Sequence, residues 1–80
     1  MPKTYLTKQD QLNSRLARWV YGELKVRQMS QAQLAREMQI SQQALSMKLR
    51  IARFTFDDLC TFIRVFEPSE DEIERLVTIK

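Results

Sequence analysis

Apolar residues recur every three or four positions along most of this 80-residue chain, which is the repeat of an α-helix with one face turned to a core. From about Lys8 or Gln9 to about Gln28 the stripe is Leu12, Leu16, Trp19, Val20 and Leu24, and Gly22 is tolerated inside it at some cost. Leu34, Ala35 and Met38 point inward from a second helix, about Gln31 to Met38. Leu45 and Leu49 do so from a third, about Gln42 to Arg50. The pattern then predicts a fourth helix, Phe56 to Phe66, burying Leu59, Phe62, Ile63 and Phe66, and a fifth, Glu70 to about Ile79, offering Ile73, Leu76 and Val77. Trp19 and the phenylalanines sit on apolar faces at helical spacing, not among basic residues. They are expected in the core.

The helix starts carry a recurring signal. Ser30 with Gln33, and Thr55 with Asp58, form capping boxes, each flanked by the apolar pair that staples the first turn: Met29 with Leu34, and Phe54 with Leu59. Ser69 with Glu72, after Pro68, makes a third box without a staple. Ser41 has a staple, Ile40 with Leu45, but only Ala44 where a box needs Gln or an acid. One glycine and two prolines in the whole chain suit an almost wholly helical protein. Eighty residues suit a single domain that buries about 60% of its unfolded surface. The expectation is an all-α, compact bundle of five short helices, with residues 1–7 as a flexible lead and residues 69–80 as a C-terminal helix.

Only Gln39 and Ile40 separate Met38 from the cap at Ser41. So short a link makes the second and third helices cross steeply, as in a helix-turn-helix. Ala35 is small where the two axes approach, Ile40 plugs the corner, and Leu45 and Leu49 turn inward. Gln42, Gln43, Ser46 and Met47 are left mostly on the other faces, where the first turns of the third helix suit a DNA major groove.

The segment QAQLAREMQISQQALSMKL resembles the helix-turn-helix of the Cro and repressor family of phage and bacterial transcription regulators, a lambda-repressor-like fold. The likeness runs from about Leu12 to Phe66 and includes the FTFDDL that opens the fourth helix. It implies that Gln31 contacts a phosphate and that Gln42 and Gln43 read bases. A glutamine amide has a donor and an acceptor in one plane and can pair with adenine N6 and N7. Ser46 and Met47, one turn on, would meet a further base pair, the methionine against a thymine methyl. Two positions depart from the family: Gln39 stands at the first turn residue and Ile51 follows Arg50, where glycine is usual.

Charge adds a direction to this picture. Residues 1–53 carry ten Lys or Arg against three acids, a net of +7, and residues 54–80 carry three bases against seven acids, a net of −4. The basic part suits a polyanion, although a merely solvated surface would look the same. Lys48, Arg50 and Arg53 at and after the end of the third helix, Arg36 on the second and the cap Ser41 are candidate phosphate contacts; Arg15 and Arg18 are weaker ones. The chain has no histidine and a single cysteine, Cys60, so the usual zinc-ligand and nucleophile-plus-base sets cannot be assembled and no internal disulfide can form. Cys60 is expected as a small packed hydrophobe. No enzyme activity, cofactor, metal or small-molecule ligand is predicted. MPKTYLTKQDQ lacks the apolar core of a signal peptide, and no apolar run approaches the roughly 20 residues of a membrane span, so a cytosolic location is expected.

The expected partner is a palindromic double-stranded DNA operator, since one recognition helix reads few base pairs and two copies one helical turn apart read twice as many. An acidic fifth helix does not favour DNA. Ile73, Leu76 and Val77 therefore face either the bundle or a second copy in a homodimer. The function that follows is a sequence-specific transcription regulator of Cro type, of phage or mobile-element origin. An antitoxin that masks a partner protein and represses its own promoter is the alternative.

Overall fold

A computed structural model describes residues 8–78, and these form five helices and no strand: α1 (Lys8–Arg27), α2 (Gln31–Met38), α3 (Gln42–Ile51), α4 (Phe56–Phe66) and α5 (Glu70–Val77). The all-α expectation holds. The expected flexible lead at 1–7 and the extension of the fifth helix to Ile79 lie outside the described residues. No helix among those described is long and apolar enough to cross a membrane.

One core joins the first four helices. Val20 and Leu24 of α1, Leu34 and Ala35 of α2, Leu45 and Leu49 of α3, and Phe62 and Phe66 of α4 are all buried and in mutual contact. Phe62 sits at its centre, with the Phe54 ring edge-on at 5.5 Å and Phe66 stacked at 6.3 Å, while Trp19 meets Phe66 edge-on at 5.4 Å. Helix α2 packs on both α3 and α4, and α5 packs on α1 without burying any residue completely.

Three expectations fail on α4. Phe56 is 78% exposed, Ile63 is 45% exposed and Cys60 is exposed, although all three were expected inside. Helix α4 instead turns Asp58, Phe62 and Phe66 inward, a stripe at every fourth residue. Phe56, Cys60 and Ile63 lie about 100–160° around the helix from Phe62 at 3.6 residues per turn. Trp19 and Phe54 are half-buried against the core edge. Gly22 has open space around its Cα, so nothing packs where its side chain would be.

Each of the first four helices stops at a left-handed residue, and none of the four is glycine: Gln28, Gln39, Ala52 and Glu67 have φ of 55°, 60°, 54° and 48°. After the first three, the next amide reaches back five residues, Met29 to the Leu24 carbonyl, Ile40 to Ala35 and Arg53 to Lys48, at 2.9–3.1 Å. These closures satisfy helix-end carbonyls. Met29 and Ile40 then serve twice, closing one helix and stapling the next. The departure at Gln39 is thus accommodated by strain. Ile51 extends α3 by one residue beyond the expected end and stays half-exposed. Left-handed backbone costs a non-glycine residue about 1 kcal/mol, so Gln39→Gly is expected to raise the thermal midpoint by several degrees. A lowered midpoint in calorimetry would mean that the Gln39 side chain contributes more than its backbone strain costs.

Candidate nucleic-acid interface

The α2–α3 corner determines what α3 presents. Ser30 caps α2 with the full reciprocal box: Gln33 N–H donates to Ser30 Oγ at 3.1 Å, and Ser30 N–H donates to Gln33 Oε1 at 2.8 Å. Three residues later than Met38, Ser41 Oγ accepts the Ala44 amide at 3.0 Å and opens α3. Leu45 and Leu49 anchor that helix in the core. Its opposite side carries Gln42, Gln43, Ser46, Met47 and Arg50, every one of them exposed.

Two ties hold the corner from behind. Lys48 Nζ lies 3.0 Å from Asp58 Oδ2, and the same oxygen accepts the Thr55 amide at 2.9 Å. Asp58 is buried, so this pair joins α3 to the start of α4 where water competes weakly. Arg64 of α4 reaches α2, pairing with Glu37 Oε1 at 3.3 Å and donating to the Glu37 carbonyl at 3.2 Å. The second tie is exposed and contributes little.

The structure separates the expected contact residues into two groups. Arg36, Arg50 and Arg53 are exposed, Gln31 is half-buried at the first position of α2, and Ser41 uses one lone pair for its cap, which leaves its O–H able to donate. Arg50 Nη2 lies 3.2 Å from Met47 Sδ, so these two side chains lie together on the exposed face. Lys48 belongs elsewhere: its ammonium is engaged by Asp58, and its expected role as a phosphate contact gives way to a structural one. Arg15 is likewise engaged within the fold. Its guanidinium donates to the carbonyls of Arg75, at 2.9 Å, and Thr78, closing the C-terminal end of α5.

Electrostatics favour an anion at this corner over any other helix start. The first turns of α2 and α3 contain no acid, whereas α4 starts with Asp57 and Asp58 and α5 with Glu70, Asp71 and Glu72. No acidic residue occurs between Glu37 and Asp57 in the sequence. The positive ends of α2 and α3 are therefore left for an external negative group.

Of the three residues expected at a pairing surface, Ile73 and Leu76 are half-buried and only Val77 is mostly exposed, at 53%. Helix α5 is held to α1 by the indole N–H of Trp19, which donates to Glu72 Oε2 at 3.1 Å. That bond also corrects the third capping box: Ser69 Oγ accepts the Glu72 amide at 3.1 Å, but the Glu72 carboxylate turns to Trp19. Arg27 was missed altogether. It donates to the Phe66 carbonyl at 2.6 Å and covers the Phe66 ring at 5.4 Å, closing α4. Nothing in a periodic pattern marks a pair 39 residues apart. Among the described residues no group of three or more Cys, Asp or Glu stands close enough to hold a metal ion. In comparisons with protein-family models, curated proteins and solved structures, nothing matches this chain.

Proposed function

We propose that the chain is a sequence-specific double-stranded DNA-binding regulator of transcription that reads the major groove with the first two turns of α3. The observation that carries this reading is the exposed face of α3, where Gln42, Gln43, Ser46, Met47 and Arg50 stand together on a helix anchored by Leu45 and Leu49 and devoid of acids. Gln42 and Gln43 contact base edges, with adenine the best match to an amide. Ser46 adds a hydroxyl and Met47 an apolar contact for a thymine methyl. Gln31, Ser41, Arg36, Arg50 and Arg53 contact phosphates and set register without reading sequence. Resemblance of QAQLAREMQISQQALSMKL to the Cro and repressor family supports the same reading and a repressor role of phage or mobile-element origin.

Two copies on the halves of a palindrome would double the bases read. The symmetry of the DNA is enough to pair them, with no contact between the two copies required.

Arg53→Ala tests the phosphate part separately. Binding to every duplex is expected to weaken by a similar factor, and the slope of log affinity on log salt to become shallower by about 0.9, one phosphate's share. Fluorescence anisotropy over a salt series measures both. A loss confined to one sequence would place Arg53 on a base instead.

A further inference from the structure

An apolar groove lies outside the face just described. Trp19 of α1, Phe56, Cys60 and Ile63 of α4, and Leu76 and Val77 of α5 are among its lining residues, and no residue of α2 or α3 takes part. Its volume is about 180 Å³, and a cavity of roughly 150 Å³ admits a benzene ring, so it has room for the tips of one or two apolar side chains. Phe56, Ile63 and Val77 extend it as open apolar surface, at 78%, 45% and 53% exposure. These exposed apolar side chains grouped around one groove give a partner's apolar side chains a place to dock.

The rim says what kind of contact. Asp57 adjoins Phe56 on α4, and Glu70 and Glu74 share the helix face of Val77, seven and three residues before it. All three acids are exposed, and none forms an ion pair among the described residues. Of the nearby bases, Arg64 pairs with Glu37 and Arg15 closes the end of α5, and the exposed Arg75 is outnumbered by the exposed acids Asp57, Glu70, Asp71 and Glu74. A second copy placed symmetrically on this groove would bring one acidic rim up to another, and like charge against like is unfavourable. A basic occupant is matched at both levels, apolar to the groove and cationic to the rim.

We propose that this groove binds an amphipathic helical segment of a partner protein, apolar on one face with Lys or Arg beside that face. A helix laid into a groove bounded by helices anchors through residues three, four and seven apart. Because α2 and α3 contribute nothing to the lining, the segment and DNA engage different parts of the chain.

Trp19 is the only tryptophan and lines the groove, so its emission reports occupancy by a tryptophan-free peptide. The probe is a synthetic peptide of about 15 residues, long enough to populate a helix, with Leu at helical spacing and Lys elsewhere. A twin with Glu in place of Lys is its control. The Lys peptide is expected to give a saturable change with Kd on the order of 10 µM and the Glu peptide to bind at least about tenfold more weakly. Phe56→Ala, at a position too exposed to support the core, is expected to weaken the Lys peptide several-fold at unchanged melting temperature. The triple change Asp57→Lys, Glu70→Lys and Glu74→Lys is expected to reverse the preference. Equal binding of the two peptides, no saturable change, or a dimer in light scattering that Val77→Lys converts to monomer would each overturn the proposal, the last by assigning the groove to a second copy.

Discussion

Phe62→Ala is expected to cost about 3–5 kcal/mol, the usual range for emptying a fully buried phenylalanine site. Phe62 has no exposed surface and touches the rings of both Phe54 and Phe66 at the centre of the core. The cavity left behind has poor means of collapse, since Leu34 around it is fixed by α2 and Leu45 and Leu49 by α3. An 80-residue domain at about 0.05–0.15 kcal/mol per residue holds only some 4–12 kcal/mol in total. The variant should therefore be close to half-unfolded at the lower end of that range. Urea melts followed by circular dichroism would show the midpoint falling sharply, and DNA binding should fall with the folded fraction at all sequences. A loss under about 1 kcal/mol would mean that the four helices do not converge on this ring.

Gln42→Ala combined with Gln43→Ala is the opposite kind of change. Both side chains are exposed, and neither supports the core. Stability should stay within about 0.5 kcal/mol of the parent, apart from the small gain alanine brings to a helix. Each substitution is expected to cost about 1–3 kcal/mol at the preferred operator, while affinity for arbitrary duplex is kept by the phosphate contacts. The pair should thus lose most sequence preference without losing DNA. Anisotropy on a matched operator and a scrambled duplex, at one stated salt concentration, separates the two quantities. Equal losses on both duplexes would indicate that the glutamines touch backbone and not bases.

The contrast between these variants reflects what the sequence does and does not reveal. Helix starts at Ser30, Ser41, Thr55 and Ser69 were legible because capping is local chemistry, completed within three residues. The short link from Met38 to Ser41 marked a tight turn at Gln39 but left open whether it would be strained or differently shaped; the φ of 60° shows the strained form. Burial on α4 was misread because Leu59, Phe62, Ile63 and Phe66 span so wide an arc that periodicity alone does not say which edge faces the core. The polar residue Asp58 lies on the chosen side with Phe62 and Phe66, where its carboxylate meets Lys48 and the Thr55 amide, and Ile63 does not. Lys48 and Arg15 looked like cations awaiting phosphate since their partners lie 10 and 60 or more residues away, and no spacing rule reaches so far. The exposed face of α3 needed no such partner. That its glutamines lie outside followed from Leu45 and Leu49 turning inward, while the base-reading role expected of them is what the resemblance to the Cro and repressor family implies.

The groove beside Trp19 was hidden by the same ambiguity. Phe56, Cys60 and Ile63 share a helix face with each other, three and four residues apart, yet a second apolar face on one helix reads as part of the first until the fold assigns them to different sides.

Selection from a random duplex pool tests the central claim most directly, with the parent protein and the Gln42→Ala, Gln43→Ala variant carried through in parallel. The parent is expected to enrich a motif whose adenines disappear from the variant's pool, in paired half-sites about one helical turn apart. Enrichment of the same motif by both proteins, or of none by the parent, would contradict the assignment of base reading to the start of α3.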